Sequence, residues 1–173
     1  MREQFNIRLS GWPLAILRIS LGILFLRGAY AKLAAGSHWP DGMVAFLNHQ
    51  RESTFAFYWP FIERVVIPHK VMFGNLVSIG ELGIGLALIT GTTTRLASFL
   101  GVTMVLNYMW AKGQTFWVPT SNDALFILIL LVLGMTGAGR VLGIDYFLVR
   151  KYPRSWLWKT IKHPPHRPWW DCG

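Results

Sequence analysis

The sequence predicts an all-α integral membrane protein: a four-helix bundle running up, down, up, down, with short helices in its first extracytoplasmic loop. Three observations carry this expectation. Of 173 residues, 53% are hydrophobic and only 14% charged, too apolar an inventory for a soluble domain of that length. Four apolar runs, at about 12–34, 71–90, 95–111 and 123–139, approach the roughly 20 residues a helix needs to cross the hydrocarbon. The runs are continuous rather than alternating, which excludes strands of the outer-membrane barrel kind.

The first run contains "AYA" at 29–31, the small-x-small pattern of a signal-cleavage site. Arg18 and Arg27 interrupt the apolar stretch that a signal would need, so the segment reads as a retained span. Residues 36–70 then form a long excursion, "GSHWPDGMVAFLNHQRESTFAFYWPFIERVVIPHK", too aromatic for a flexible linker. Asp41 opens one stretch as a helix cap and Pro60 interrupts another, which predicts one or two short helices over the bundle mouth. The second run carries Glu81 and ends in a tight "GTTTR" turn at 91–95 that leads into the third. A polar loop opens the fourth through Asn122 and Asp123, and "GAG" at 137–139 is a helix-end signal rather than a nucleotide loop.

Residues 1–148 make up the predicted transmembrane domain and 149–173 a basic tail rich in Trp and Pro. Ten Lys and Arg residues lie on the face shared by both termini and the "GTTTR" turn, against five on the other. The positive-inside rule therefore puts both termini in the cytoplasm. The tail interleaves Trp156 and Trp158 with Arg150, Lys151, Arg154, Lys159 and Lys162, the composition of a segment lying among lipid headgroups. Trp169 and Trp170 extend this candidate surface for lipid or a partner subunit. The net charge of +9 thus points to anionic lipid rather than nucleic acid, because no separate basic domain exists.

Much chemistry is excluded. The single cysteine, Cys172, forms neither an internal disulfide nor a CxxC pair. All five histidines lie outside the apolar runs, so a membrane-buried haem ligand is not expected. "HPPH" with Cys172 fits no zinc spacing, and phosphate loops, Ser-His-Asp sets and HExxH are absent. No metal site and no covalent or histidine-ligated cofactor is expected.

Charges inside the runs carry the remaining signal. An ionised side chain at the bilayer centre costs about 2.5–3.5 kcal/mol on insertion scales, so such groups face the bundle interior and find partners. Glu81 lies about 15 Å along its helix, near mid-membrane. Arg18 is its expected partner, on an inward stripe with Gly22, Phe25, Ala29 and Lys32, while Arg27 points elsewhere, outward or toward Asp123. Asn107, Asn122 and Asp123 would extend the seam formed by Arg18, Glu81 and Lys32, or else cap and bond neighbouring helices. Three readings stay open: a structural ion pair fixing helix register, a pocket for a small polar ligand with Glu81 as proton carrier, or a proton or solute pathway.

"LRISLGILFLRGAYAKL" (17–33), "GELGIGLALITGTTTRLAS" (80–98) and "NDALFILILLVLGMTGAGRVLGID" (122–145) together resemble the DoxX/DoxD-like membrane family. "LNYMWAKG" and the aromatic excursion are similar to the subset containing the small subunit of thiosulfate:quinone oxidoreductase. Arg18, Phe25, Gly28, Lys32, Glu81, Gly85, Arg95, Asn122, Gly137, Gly139, Arg140 and Asp145 stand where the family pattern expects them, whereas Arg27 departs from it. The resemblance implies a four-helix subunit of a quinone-linked oxidoreductase complex in a prokaryotic inner membrane, non-catalytic or co-catalytic, with quinone as candidate ligand. Having no redox centre of its own, such a chain is at most one subunit of an enzyme. The alternatives are a purely structural accessory of a larger bioenergetic or photosynthetic membrane complex, or a small transporter.

Overall fold

The computed structural model describes residues 11–116 and 122–151, and among these no strand occurs. Helix α1 (Trp12–Ala35) takes Pro13 in its first turn, where the missing N–H would have had no partner, and Gly36 ends it. The helical path continues through a 3-10 turn (Gly36–His38) into α2 (Trp39–His49). Helix α3 (Trp59–Phe61) passes directly into a π-helical turn (Ile62–Val66), and α4 (Lys70–Thr90) follows. The remainder comprises α5 (Thr94–Ala111), α6 (Asp123–Thr136), a 3-10 turn (Ala138–Arg140) and α7 (Asp145–Lys151).

Several local expectations change. Asp41 does not cap a helix: α2 begins two residues earlier, and the Asp41 carboxylate binds the Lys70 ammonium instead. Helix α6 stops at Thr136, short of the expected 139, because Gly137 adopts φ 66° and closes the helix in the left-handed region that glycine tolerates. Helix α7 runs through 148–149, where the sequence placed the start of the tail.

Helix α1 packs along α4, α4 against α5, and α5 along α6, while α2 folds onto the start of α4. The pair α1 and α4 is antiparallel and touches at Gly22 and Gly85. A methyl group on Gly22 would lie 3.0 Å from the Gly85 carbonyl, and one on Gly85 the same distance from the Gly22 carbonyl. Such backbone contact between small residues is how helices associate in lipid, where no hydrophobic force pulls them together. Leu21, Phe25, Ile84, Leu88, Val105, Ile127 and Leu130 fill the interior beside it. A second, smaller core of Leu47, Ile62, Val66 and Ala111 joins the excursion to the ends of α4 and α5. Tyr58 and Phe57 meet Trp110 edge-on there, and Phe61 meets Phe73.

Polarity is distributed as lipid demands. Arg18, Ser78, Glu81, Thr94, Ser98 and Asp123 are buried, while Ile16, Ile23, Leu76, Ile79, Phe99, Leu128 and Met135 are exposed. Water would penalise both halves of that pattern, whereas a membrane rewards it. Two helical stretches, Trp12–His49 and Lys70–Thr90, are long and apolar enough to cross a membrane. Helix α6 is equally apolar but shorter, about 21 Å at 1.5 Å per residue.

The Gly22 to Gly85 contact makes a prediction. Gly85→Leu, which must push α1 and α4 apart, is expected to destabilise the protein by about 1–3 kcal/mol in thermal unfolding in detergent. Gly83→Leu, at a position with open space around it, is expected to stay within about 0.5 kcal/mol of the parent.

Candidate functional site

Glu81 belongs to the buried stripe of α4, with Gly74, Ser78, Ile84, Gly85 and Leu88, the three- and four-residue spacing of one helix face. It is only 5% exposed and lies about 16 Å along α4 from Lys70. Its carboxylate is fully engaged. Lys32 Nζ sits 2.5 Å from Oε2, and the Tyr108 hydroxyl donates to Oε1 at 2.8 Å. The ammonium also lies 5.1 Å from the centroid of the Trp39 ring and 6.0 Å from that of Tyr108, so two aromatic faces complete its surroundings. Trp39 is held in place by its Nε1, which donates to the Gly74 carbonyl at 3.2 Å. Gly28, facing the acid from α1, leaves the needed space: a methyl there would come 2.9 Å from Glu81 Oε2.

Arg18 is not the partner of Glu81. Along the antiparallel pair Glu81 faces Gly28, whereas Arg18 faces Gly91, ten residues and about 15 Å away, farther than an arginine side chain extends. Lys32, one turn beyond Gly28 on the same face of α1, reaches the acid instead. Arg18 is fully buried at the turn end of the bundle, donating from Nη1 to the Ala138 carbonyl at 2.9 Å and from Nη2 to Leu142 at 3.1 Å. These carbonyls lie just past α6, and that of Ala138 also accepts the Val141 N–H of the 3-10 turn at 3.2 Å, so Arg18 ties down the turn. Asp145 is close enough to act on Arg18 electrostatically. Its own carboxylate accepts the Thr93 and Thr94 N–H groups at 2.7 and 3.0 Å, which caps α5 at the positive end of its dipole.

The other sequence candidates separate. Asn107 does not join Glu81: its Nδ2 donates to Thr103 O one turn back, and its Oδ1 accepts the Tyr58 hydroxyl at 2.5 Å. Asn122 is exposed and makes no side-chain cap to α6. Asp123 is buried and takes the Lys112 ammonium at 2.8 Å rather than Arg27, which is exposed on α1. Lys151 is exposed at the end of α7. The Arg150 side chain, and Arg154, Trp156, Trp158, Lys159, Lys162, Trp169 and Trp170, lie outside the described residues.

Two members of the cluster escaped the sequence reading. Tyr108 adjoins Asn107, but one residue is a 100° rotation on a helix, enough to send one side chain to the excursion and the other to Glu81. Trp39 lies beyond the first apolar run and reaches Lys32 only because α1 continues through a 3-10 turn into α2.

Lys32→Met leaves Glu81 buried without a cation and is expected to cost about 3–5 kcal/mol. Lys32→Met with Glu81→Leu is expected to recover most of that loss, while Arg18→Met and Glu81→Leu are expected to be additive. Thermal unfolding of the single and double variants checks both cycles. Coupling of Arg18, rather than Lys32, to Glu81 contradicts the pairing.

Comparison with curated proteins and with solved structures gives no match. A family model described as "TQO small subunit DoxD" matches residues 12–163, from the first turn of α1 past the end of α7. A match over that much of the chain, on helices that carry the paired Lys32 and Glu81, shows that the protein belongs to the DoxD family.

Proposed function

We propose that the chain crosses a prokaryotic cytoplasmic membrane as a four-helix bundle of α1, α4, α5 and α6, with both termini in the cytoplasm, and serves as a non-catalytic or co-catalytic subunit of a quinone-linked oxidoreductase complex. Membership of the DoxD family supports the complex, and the exposed apolar faces of the helices support the membrane setting and offer surface for neighbouring subunits. The tail, 149–173, would add a basic and aromatic contact with lipid or partner.

The observation that carries the reading is the cluster of Lys32, Glu81 and Tyr108, flanked by Trp39. A quinone ring needs a hydrogen-bond donor at its carbonyl, a proton source and aromatic or apolar surface. Lys32 supplies the first, Glu81 as a proton carrier the second, and Trp39 and Tyr108 the third. Reduction of quinone to quinol consumes two electrons and two protons, and the electrons would come from a redox centre in a partner subunit, since one cysteine cannot form a dithiol and every histidine lies outside the apolar runs.

One observation favours a second reading. Both Glu81 oxygens already have partners within the chain, which is what a structural ion pair that fixes helix register would show.

The two readings are separated by titrating the detergent-solubilised protein with a quinone analogue while thermal stability is followed. A bound analogue at a hundredfold excess over its dissociation constant is expected to stabilise by about 2.7 kcal/mol. Glu81→Gln and Tyr108→Phe are expected to reduce that gain. If the parent protein shows no stabilisation by any quinone, the ligand reading fails and the structural one remains.

A further inference from the structure

The two polar clusters of the bundle are sealed from each other. Arg18 and Asp145 close the turn end, and Glu81 lies ten residues further along the α1 and α4 pair. Between these levels Leu21, Phe25, Ile84, Leu88 and Leu130 are buried, and Gly22 and Gly85 bring the two backbones into contact. This layer is apolar apart from the buried Ser98 hydroxyl, and an apolar layer opposes the passage of charge. Among the described residues no titratable side chain faces this layer; Arg27, at a similar level on α1, is exposed on the outside of the bundle.

Polar groups continue in the opposite direction. The Tyr108 hydroxyl donates to Glu81, and Lys112, one turn further on the same face of α5, binds Asp123 at the start of α6. The Lys112 side chain is 33% exposed and Lys112 follows directly on the end of α5, so this pair sits at the excursion end of the helices. Among the described residues, the charged and titratable groups around Glu81 are therefore Lys32 from α1 and Tyr108 from α5, with Lys112 and Asp123 the next ones toward the excursion.

We infer that Glu81 exchanges its proton only with the aqueous phase at the excursion end, through Tyr108 and the mouth formed by Lys112 and Asp123. The use of that proton rests on the quinone reading above. The Glu81 carboxylate, held by the Lys32 ammonium, takes up the Tyr108 hydroxyl proton as the Tyr108 oxygen takes a proton from hydronium or a buffer acid at the mouth, and Tyr108 ends uncharged. Glu81 then gives the proton it has taken up to a ligand oxygen and returns to the carboxylate. Protons consumed at this site come from one side of the membrane, whichever side the excursion faces.

Thiol labelling tests the route. In a Cys172→Ser background, Glu81→Cys and Tyr108→Cys are exposed to a charged, membrane-impermeant methanethiosulfonate, in spheroplasts and in inverted membrane vesicles. Glu52→Cys in the excursion and Thr92→Cys in the turn report which side each end of the bundle faces. Both test cysteines are expected to react from the Glu52 side at least about tenfold faster than from the Thr92 side, because a charged reagent cannot cross the apolar layer. Tyr108→Cys leaves the Lys32 and Glu81 pair in place, and so gives an answer even if Glu81→Cys fails to fold. Equal rates from the two sides, faster reaction from the Thr92 side, or a Tyr108→Cys protein inert from both, overturns the inference. One-sided labelling without quinone stabilisation would defeat the ligand reading and leave the access route standing.

Discussion

The register of α1 against α4 decides the rest of the structure. Gly22 and Gly85 let two backbones touch, and a contact that close admits no sliding by a residue in either direction. With it in place, every other pair along the antiparallel helices follows at 1.5 Å per residue. Gly28 falls opposite Glu81, Lys32 comes one turn beyond, and Arg18 falls opposite Gly91. The identity of the cation beside the buried acid is therefore a consequence of helix geometry. Charge alone would accept either candidate.

The two ends of the bundle solve different problems. At the turn end the charged groups serve the backbone: Arg18 donates to carbonyls past α6, and Asp145 accepts from amides that open α5. For Asp145 the placement follows from the need of a helix start for partners that the helix itself cannot supply. In the other pair Lys32 comes from the last turn of α1 and its ammonium binds the side chain of Glu81. Glu81 sits mid-length in α4, bonded side chain to side chain, where desolvating a charge costs several kcal/mol that pairing only partly offsets. Polar groups kept at that cost, without a backbone to satisfy, are where a function is best sought.

The excursion gives the bundle its asymmetry. Its π-helical turn and the ring contacts around Trp110 form a separate small core over the ends of α4 and α5, and Thr54 reaches across to the Ala111 carbonyl at 2.7 Å. The same corner supplies Trp39 to the Lys32 ammonium. One end of the molecule thus combines aromatic surface, a partly exposed ion pair and a route to the buried acid, and the other is closed by backbone contacts around Arg18.

The helices themselves were legible in the amino-acid sequence, because uninterrupted apolar runs bounded by Gly, Pro and charge leave no other way to satisfy the backbone in lipid. Glu81 was legible for the same reason, as a lone acid in such a run, and Lys32 as a base on the inward stripe of α1. What the sequence could not decide was which base meets that acid, since both candidates lie on one helix face and only the crossing point of α1 and α4 sets their height. Tyr108 was hidden because a tyrosine near the end of an apolar run reads as an interfacial ring, and the cap that Asp145 provides spans 51 and 52 residues of chain. Composition and period determine what each segment is; pairing across segments depends on register and rotation, which are properties of two helices in contact and of neither one alone.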